Sequence, residues 1–456
     1  MSTTTEVDAV VLGLGPGGES VAAKLAQGGL EVVAVDKNLV GGECPYYGCV
    51  PSKMMIRGSD LIAETRRVPE VCGTSTVSPD WSPIADRIRD EATSDWDDQI
   101  AVDRLVDAGV RFVRGAGRLV GERTVEVDGE TFHARRGVVL NTGTEPAIPP
   151  IEGLADTPYW TNRDAVKLTE LPGSMIVIGG GAIGLELAQA FARFDTDVTV
   201  IEVASRILAP EEPESSKLLA EVFGREGIQV LTGVRISSVT YADGHFTVDV
   251  DGQAVTADKL LVAAGRRTNL ADIGLDTVGL DPSVKALDTD ARMKVVGTDG
   301  LWAIGDITGH GAFTHMSMYQ AAIAVRDLLG EEGPEADYRA VPRVTFTDPE
   351  VGSVGLSEQQ ARDAGLTVRT GQVDLTTSTR GWIHKAGNDG LIKLVEDADN
   401  GVLVGATAVG PYGGEVLSAL VVAVHARVPT STLRSMIYAY PTFHRAIETA
   451  LEDLAS

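Results

Sequence analysis

Two stretches of the chain repeat one order of apolar and polar positions. In the first, the apolar run Val10-Val11-Leu12 leads into Gly13-Leu14-Gly15-Pro16-Gly17-Gly18. A helix-like stretch follows from Glu19 to Gln27, then a second apolar run, Val32 to Val35, closed by Asp36. In the second, Ile176-Val177-Ile178 leads into Gly179-Gly180-Gly181-Ala182-Ile183-Gly184, a helix-like stretch from Glu186 to Arg193, and Val198 to Ile201 closed by Glu202. Uninterrupted apolar runs of this length are what strands buried on both faces require. Strand, glycine turn, helix and strand in succession predict an α/β protein with two parallel, Rossmann-like units.

Both copies carry G-x-G-x-x-G, and in both the acid stands 23 positions after the first glycine. Gly13 and Gly179 would make the strand-to-helix turn. Gly15 and Gly181 would let the backbone approach a pyrophosphate on the helix N-terminus. Gly18 and Gly184 would pack helix on strand, and Asp36 and Glu202 would bind ribose hydroxyls. One glycine motif is weak evidence, since glycine-rich turns are common. Two with matching strands, helix and acid point to two dinucleotide-binding folds.

Between the copies, Trp81 to Gly109 reads as helical. Val110 to Val113 and Thr124 to Val127 read as strands on either side of the turn Gly115-Ala116-Gly117. Val138-Val139-Leu140 runs into Asn141-Thr142-Gly143-Thr144, and prolines 146, 149 and 150 mark a linker. Leu260-Leu261-Val262-Ala263-Ala264-Gly265 closes the second unit similarly. From about Pro342 the glycine signature is gone, and mixed strand and helix patterns predict a third, α+β domain.

Composition narrows the partners. At 456 residues the chain needs two to four domains. A formal net charge of -26 repels nucleic acid and anionic membrane, so neither is expected as a partner. No apolar run approaches the roughly 20 residues of a membrane span. Met1 to Val7 is polar and lacks an apolar signal core, and 3 cysteines are too few for a secreted disulfide scaffold. A cytoplasmic protein is the expectation.

Two of the cysteines stand five residues apart in Gly41-Gly42-Glu43-Cys44-Pro45-Tyr46-Tyr47-Gly48-Cys49-Val50-Pro51-Ser52-Lys53. They could be two unrelated buried thiols. A metal site would need further ligands, but the segment has no histidine and no second cysteine pair, so no metal is expected. A redox pair fits better, because glycine and proline permit the tight path that brings two sulfurs within bonding range. A helix beginning near Cys49 would favour thiolate there through its dipole. Lys53 would share a helical face with Cys49 and stabilise that thiolate; a plain surface lysine is the alternative. Cys72, in Val71-Cys72-Gly73, has no motif around it and is expected to be inert.

Together these segments resemble the pyridine nucleotide-disulfide oxidoreductases, the group of glutathione reductase, lipoamide dehydrogenase and mercuric reductase. Gly265-Arg266-Arg267-Thr268-Asn269, Trp302-Ala303-Ile304-Gly305-Asp306 and Phe346-Thr347-Asp348-Pro349-Glu350-Val351-Gly352 extend the likeness over nearly the whole chain. The resemblance implies FAD in the first glycine unit, with Asp36 on the adenosine ribose and Asp306 on the flavin side. It implies NADH or NADPH in the second unit, with Glu202 favouring NADH, and Glu186 pairing with Lys53. Gly117, Thr142, Gly143, Gly265, Gly305 and Thr314 are further cofactor-binding positions on the same basis. The implied domains are 1–150 and 276–340 for FAD, 151–275 for the nicotinamide cofactor, and 341–456 for homodimerisation.

The chain departs from the family near its end. Disulfide-reducing relatives generally carry His-Pro-Thr with a glutamate five residues after the histidine, as acid and base. Here the run is Tyr440-Pro441-Thr442-Phe443-His444-Arg445, with Tyr440 at the histidine position and Arg445 at the glutamate position. Tyrosine ordinarily titrates near about 10 and makes a poor base at neutral pH. His444 has a suitable ring but a different place in the motif, and a surface residue on the last helix is its plainer reading. Mercuric reductase also has tyrosine near this position but needs a C-terminal cysteine pair, which Leu451 to Ser456 lacks. The soluble transhydrogenase branch has Tyr-Pro-Thr but tends to lack the complete cysteine pair. The carboxylase branch that cleaves a ketone-bearing thioether shares the proline found here as Pro45. The acceptor stays open: a small disulfide or electrophile, reached by electrons passing from the nicotinamide to FAD, to Cys49 facing the flavin, and to Cys44 as interchange thiol. Carbon–sulfur or quinone chemistry at Cys44 is the enzymatic rival, and a flavoprotein redox sensor the non-enzymatic one.

Overall fold

A computed structural model describes residues 4–455. Met1 to Thr3 of the polar leading stretch, and Ser456, lie outside the described residues. The chain forms two compact units, one from Met1–Pro51, Asp86–Ala147 and Arg266–Tyr338, the other from Ser52–Ala85, Ile148–Gly265 and Arg339–Ser456.

The first unit is built on a 7-stranded sheet. Arg111–Arg114, Val32–Asp36, Thr4–Leu12 and Glu130–Leu140 lie side by side in parallel, as the doubly apolar runs require. Glu130–Leu140 changes partner along its length. Its first residues pair antiparallel with Thr124–Val127, and Val138, Val139 and Leu140 pair in parallel with Leu301–Ala303. Two apolar layers cover the sheet. One packs Val21, Ala22 and Leu25 of the helix Pro16–Gln27 with Ala321, Ala324 and Leu328 of the helix Thr314–Leu329, and the other gathers Val10, Val33, Val125 and Phe132.

The second unit contains a 4-stranded parallel sheet in the order Gln229–Thr232, Asp197–Glu202, Ser174–Ile178, Lys259–Val262. The helix Ala182–Arg193 packs on it, and an antiparallel meander, Ile236–Ala242, His245–Val250 and Gln253–Ala257, buries Phe246 and Val248 against it. Residues from Pro342 onward form a 5-stranded antiparallel sheet covered by the helices Gly413–His425 and Ala446–Asp453. The parallel strands at the heart of the first sheet, the parallel second sheet and the α+β end portion are the α/β architecture the apolar pattern predicts.

Two local expectations are corrected. Trp81 to Gly109 is not one helical stretch. Helix Ser82–Arg87 runs into a π-helical turn, Ile88–Ala92, then breaks at Ser94, Asp95 and Trp96 before the helix Gln99–Asp107. The run from Asp90 to Asp98 holds five carboxylates and no apolar stripe, so helix there would set like charges together and bury little. The proline linker is not featureless either: Thr144–Pro146 forms a short strand antiparallel to Arg266–Thr268. Among the described residues no helix is long and apolar enough to cross a membrane, and no cluster of three or more His, Cys, Asp or Glu is arranged to hold a metal ion.

Candidate active site

The two glycine units share one construction. Asp36 accepts hydrogen bonds from the backbone N–H of Leu14 at 2.6 Å and of Asn38 at 2.7 Å. Glu202 accepts from Gly180 at 2.6 Å and Ala204 at 2.7 Å, the equivalent positions of its copy. Gly13 and Gly179 take φ of +94° and +115°, and a Cβ on either would lie 2.3 Å from the carbonyl oxygen of Asn141 or Ala263. A Cβ on Gly18 or Gly184 would lie 2.0 Å or 2.2 Å from the oxygen of that first glycine, so these two let helix touch strand. Gly181 faces open space, and Gly15 meets only the Asn141 amide. The helices that follow have glycine N-caps with no side-chain hydrogen bond, which leaves backbone donors for an anion. These cradles fit the pyrophosphates of two dinucleotides. Burial pushes the Asp36 carboxyl above its ordinary range, although its two backbone donors and Arg114 oppose this.

Other expected cofactor positions of the first unit gather around Asp306. Its carboxylate accepts from the Thr144 hydroxyl at 2.6 Å, and Arg266 donates to that hydroxyl at 2.7 Å. The Arg266 guanidinium also stands 3.3 Å from Glu43, the neighbour of Cys44. Gly305 donates its N–H to buried Gln320 at 2.7 Å, Thr142 and Asn269 exchange two hydrogen bonds, and Gly143 opens onto free space. At Gly117 a Cβ would lie 2.6 Å from a Leu12 methyl and 3.0 Å from a Val35 methyl, so no side chain has room there. Gly265, at the end of the second parallel sheet, takes φ of +109° beside open space.

Cys44 lies half-buried on the one-turn helix Glu43–Tyr46. Cys49 is exposed and is the first residue of the helix Cys49–Val71, where the dipole favours a thiolate. Its Sγ is 3.5 Å from Oγ1 of Thr314, itself the first residue of Thr314–Leu329. A Cβ on Gly48 would meet the Glu43 carbonyl at 3.2 Å, so the path between the cysteines is tight. Cys72 is exposed just past the far end of the Cys49–Val71 helix.

In the second unit, Lys53 and Glu186 form a 2.7 Å ion pair in which Glu186 is buried. The other Glu186 oxygen accepts from the backbone of Phe346 at 2.8 Å, and Lys53 stands 4.6 Å from the Phe346 ring centroid. Sequence reasoning missed what continues from this pair. Gln189 exchanges two hydrogen bonds with the Asp348 backbone, and Arg193 bonds the Asp348 carboxylate at 2.7 Å. Glu186, Gln189 and Arg193 thus lie on one face of their helix and dock Phe346 to Asp348 in register. Arg193 also holds Glu226 and Asp60. Burial would raise the Asp348 carboxyl, but Arg193 and Arg67 outweigh it and hold it low. Burial pushes Asp60 up to about 6 against the opposing pull of Arg193. The only trace of this ladder in the sequence was the Phe346-to-Gly352 segment.

Tyr440 is exposed, and its ring lies 5.5 Å from the Arg445 guanidinium carbon. Arg445 is bound to Glu448 at 2.8 Å. His444 is half-buried, 6.3 Å from the Tyr438 ring, and stands before the last helix rather than on it, because that helix starts at Ala446.

Residues 7–326 match the family described as pyridine nucleotide-disulphide oxidoreductase, and residues 341–451 match its dimerisation domain. The chain belongs to this family. It is 30% identical to mercuric reductase of Staphylococcus aureus over 98% of this chain and 82% of that protein. It is 32% identical to dihydrolipoyl dehydrogenase of Halobacterium salinarum over 98% of this chain and 96% of that one. Among solved structures, the HOCl-induced flavoprotein disulfide reductase RclA from Escherichia coli superposes with a TM-score of 0.85 at 25% identity, covering 98% of this chain and 99% of RclA. The protein is therefore a flavoprotein oxidoreductase with two Rossmann-like domains and a dimerisation domain, and its family works with FAD and a nicotinamide cofactor.

Proposed function

We propose that this enzyme carries electrons from NADH through FAD and the Cys44–Cys49 pair to a small thiol-reactive acceptor, a disulfide or an electrophile. The observation that carries the reading is the pair itself, Cys49 at a helix N-terminus and Cys44 on the adjoining turn. FAD would be held by Gly13, Gly15, Gly18, Asp36, Thr142, Gly143, Asp306 and Thr314 of the first unit, with Lys53 as a further contact. Gly179, Gly181, Gly184, Glu202 and Gly265 would hold the nicotinamide cofactor. We assign 1–150 and 276–340 to the first function, 151–275 to the second and 341–456 to a homodimer interface, in a cytoplasmic protein. Bound FAD supplies a two-electron carrier between the nicotinamide and the disulfide.

The remaining chemistry belongs to side chains. Reduction of the disulfide yields a thiolate at Cys49, favoured by the helix dipole, and a thiol at Cys44. With a disulfide acceptor, Cys44 as thiolate attacks one sulfur and expels the other half as a thiolate. Cys49 then attacks the Cys44 sulfur, releases the second half and restores the pair. Glu186 fixes the Lys53 ammonium by its ion pair. A proton must leave Cys44 and return to product. Tyr440 and Arg445 stand where relatives place histidine and glutamate, and Arg445 is already engaged by Glu448. That pairing favours an acceptor needing no imidazole base, an electrophile or quinone, over an ordinary disulfide. Positioned acid–base help is worth about 10² to 10⁴ in rate. In an NADH-dependent assay with glutathione disulfide, lipoamide, quinones and Hg(II), the two disulfides should turn over slowest. Many turnovers per second on glutathione disulfide would contradict the preference, and no turnover with any acceptor would contradict the enzymatic reading.

A further inference from the structure

The break in the helical stretch ahead of Gln99 is folded at a conformational cost. A π-helical turn, Ile88–Ala92, is followed by Ser94, Asp95 and Trp96 at φ of 48°, 57° and 57°. Three successive non-glycine residues in the left-handed region persist only where surrounding contacts over-determine them. Local bonds close the turn: the Asp95 N–H donates to the Arg89 carbonyl at 2.6 Å, and the Asp97 N–H to the Thr93 carbonyl at 3.1 Å.

The turn delivers two side chains to the cysteine segment. The Trp96 indole N–H donates to the carbonyl of Tyr46 at 3.1 Å. Tyr46 is the last residue of the one-turn helix that carries Cys44, and carbonyls at a helix end lie beyond its own hydrogen-bond ladder. Two residues on, buried Asp98 accepts from the Val40 N–H at 2.6 Å and from Arg114 at 2.5 Å. The chain is therefore tied to one strained turn on both sides of Cys44, at Val40 and at Tyr46.

We propose that Trp96 is a positioning residue for the Cys44–Cys49 couple, its indole capping the Cys44-bearing turn so that the two sulfurs are held ready to join. The inference rests on the redox reading above. Pre-organised thiols have a high effective concentration toward one another, which favours the disulfide over the dithiol. Freeing the Tyr46 carbonyl lets the turn fray and lowers that concentration. The couple should then move toward the dithiol, and its potential should become less negative.

The test equilibrates the FAD-loaded protein anaerobically with dithiothreitol redox buffers and counts thiols by alkylation and mass. Trp96→Phe keeps the ring and removes the donor; Trp96→Met is a second replacement without a donor. Both should shift the equilibrium constant about three- to tenfold toward the dithiol, where tenfold corresponds to about 30 mV. Trp96→His, which retains a ring N–H, should fall between them and wild type. Folded Phe or Met variants that titrate with wild type, or that shift toward the disulfide, overturn the role of Trp96 and leave the redox reading intact. A wild-type protein with no titratable Cys44–Cys49 couple overturns both.

Discussion

Glu202 ends the second strand of the second glycine unit with both carboxylate oxygens accepting backbone N–H groups. A carboxylate fixed there can accept from ribose hydroxyls and repels a 2′-phosphate. Arg206, the nearby cation that could pair with a 2′-phosphate, spends its guanidinium on the Leu208 and Ala209 carbonyls and the Ser216 hydroxyl. NADH should therefore be the better donor, and Glu202→Ala should lower the NADH-to-NADPH ratio of kcat/KM by about tenfold, a change of roughly 1.4 kcal/mol. Equal ratios in wild type and variant would remove Glu202 from the discrimination. Both acids could be read from the sequence because each sits at a fixed distance from a glycine motif. Arg193 and Trp96 could not, since their partners lie 155 and 50 residues away and no local pattern marks them.

At the scale of elements, two ion pairs of opposite polarity join the helices Cys49–Val71 and Ala182–Arg193, Lys53 with Glu186 and Asp60 with Arg193. The partners are seven residues apart on each helix, two turns, so each element presents one face to the other. The burial of Asp60 has a pH signature. Asp60 is pushed up to about 6 in the folded protein, above its ordinary value. A carboxyl with a raised folded pKa binds its proton more tightly in the native state, so stability falls as pH rises from about 4 through 6. Asp60→Asn removes that slope. The Tm of the variant relative to wild type should be more favourable at pH 7.5 than at pH 4.5, read by differential scanning fluorimetry. The same offset at both pH values would mean that Asp60 does not titrate as its burial requires. The helix Ala182–Arg193 was legible from its glycine motif, whereas the one that starts at Cys49 was expected only as a helix beginning near that cysteine. The carboxylates of Asp90 to Asp98 argue against helix there, but the left-handed path of Ser94 to Trp96 was not legible, because it is held by contacts to Tyr46 and Val40, far away in sequence.

For the molecule as a whole, the apolar runs were enough to foresee two sheets with parallel cores and a different terminal portion. They say nothing of charged groups buried where parts of one unit meet. Lys393 is an example, 4% exposed and 2.9 Å from each of Glu212, Glu214 and Glu358. Lys393→Met would leave buried Glu212 facing two other carboxylates, and breaking such a buried arrangement costs about 3–5 kcal/mol. A clear drop in Tm is expected, and an unchanged Tm would show that the cluster is replaceable by apolar packing. Electron flow, rather than stability, is what the Cys44–Cys49 pair serves: it should be the relay next to the flavin. The most direct measurement is the visible spectrum of the purified, FAD-loaded protein during anaerobic two-electron reduction by NADH. Wild type should develop a long-wavelength charge-transfer band, Cys44→Ser should show it without added reductant, and Cys49→Ser should lack it under every condition. A band that survives Cys49→Ser, or wild-type protein that never develops one, would contradict the relay.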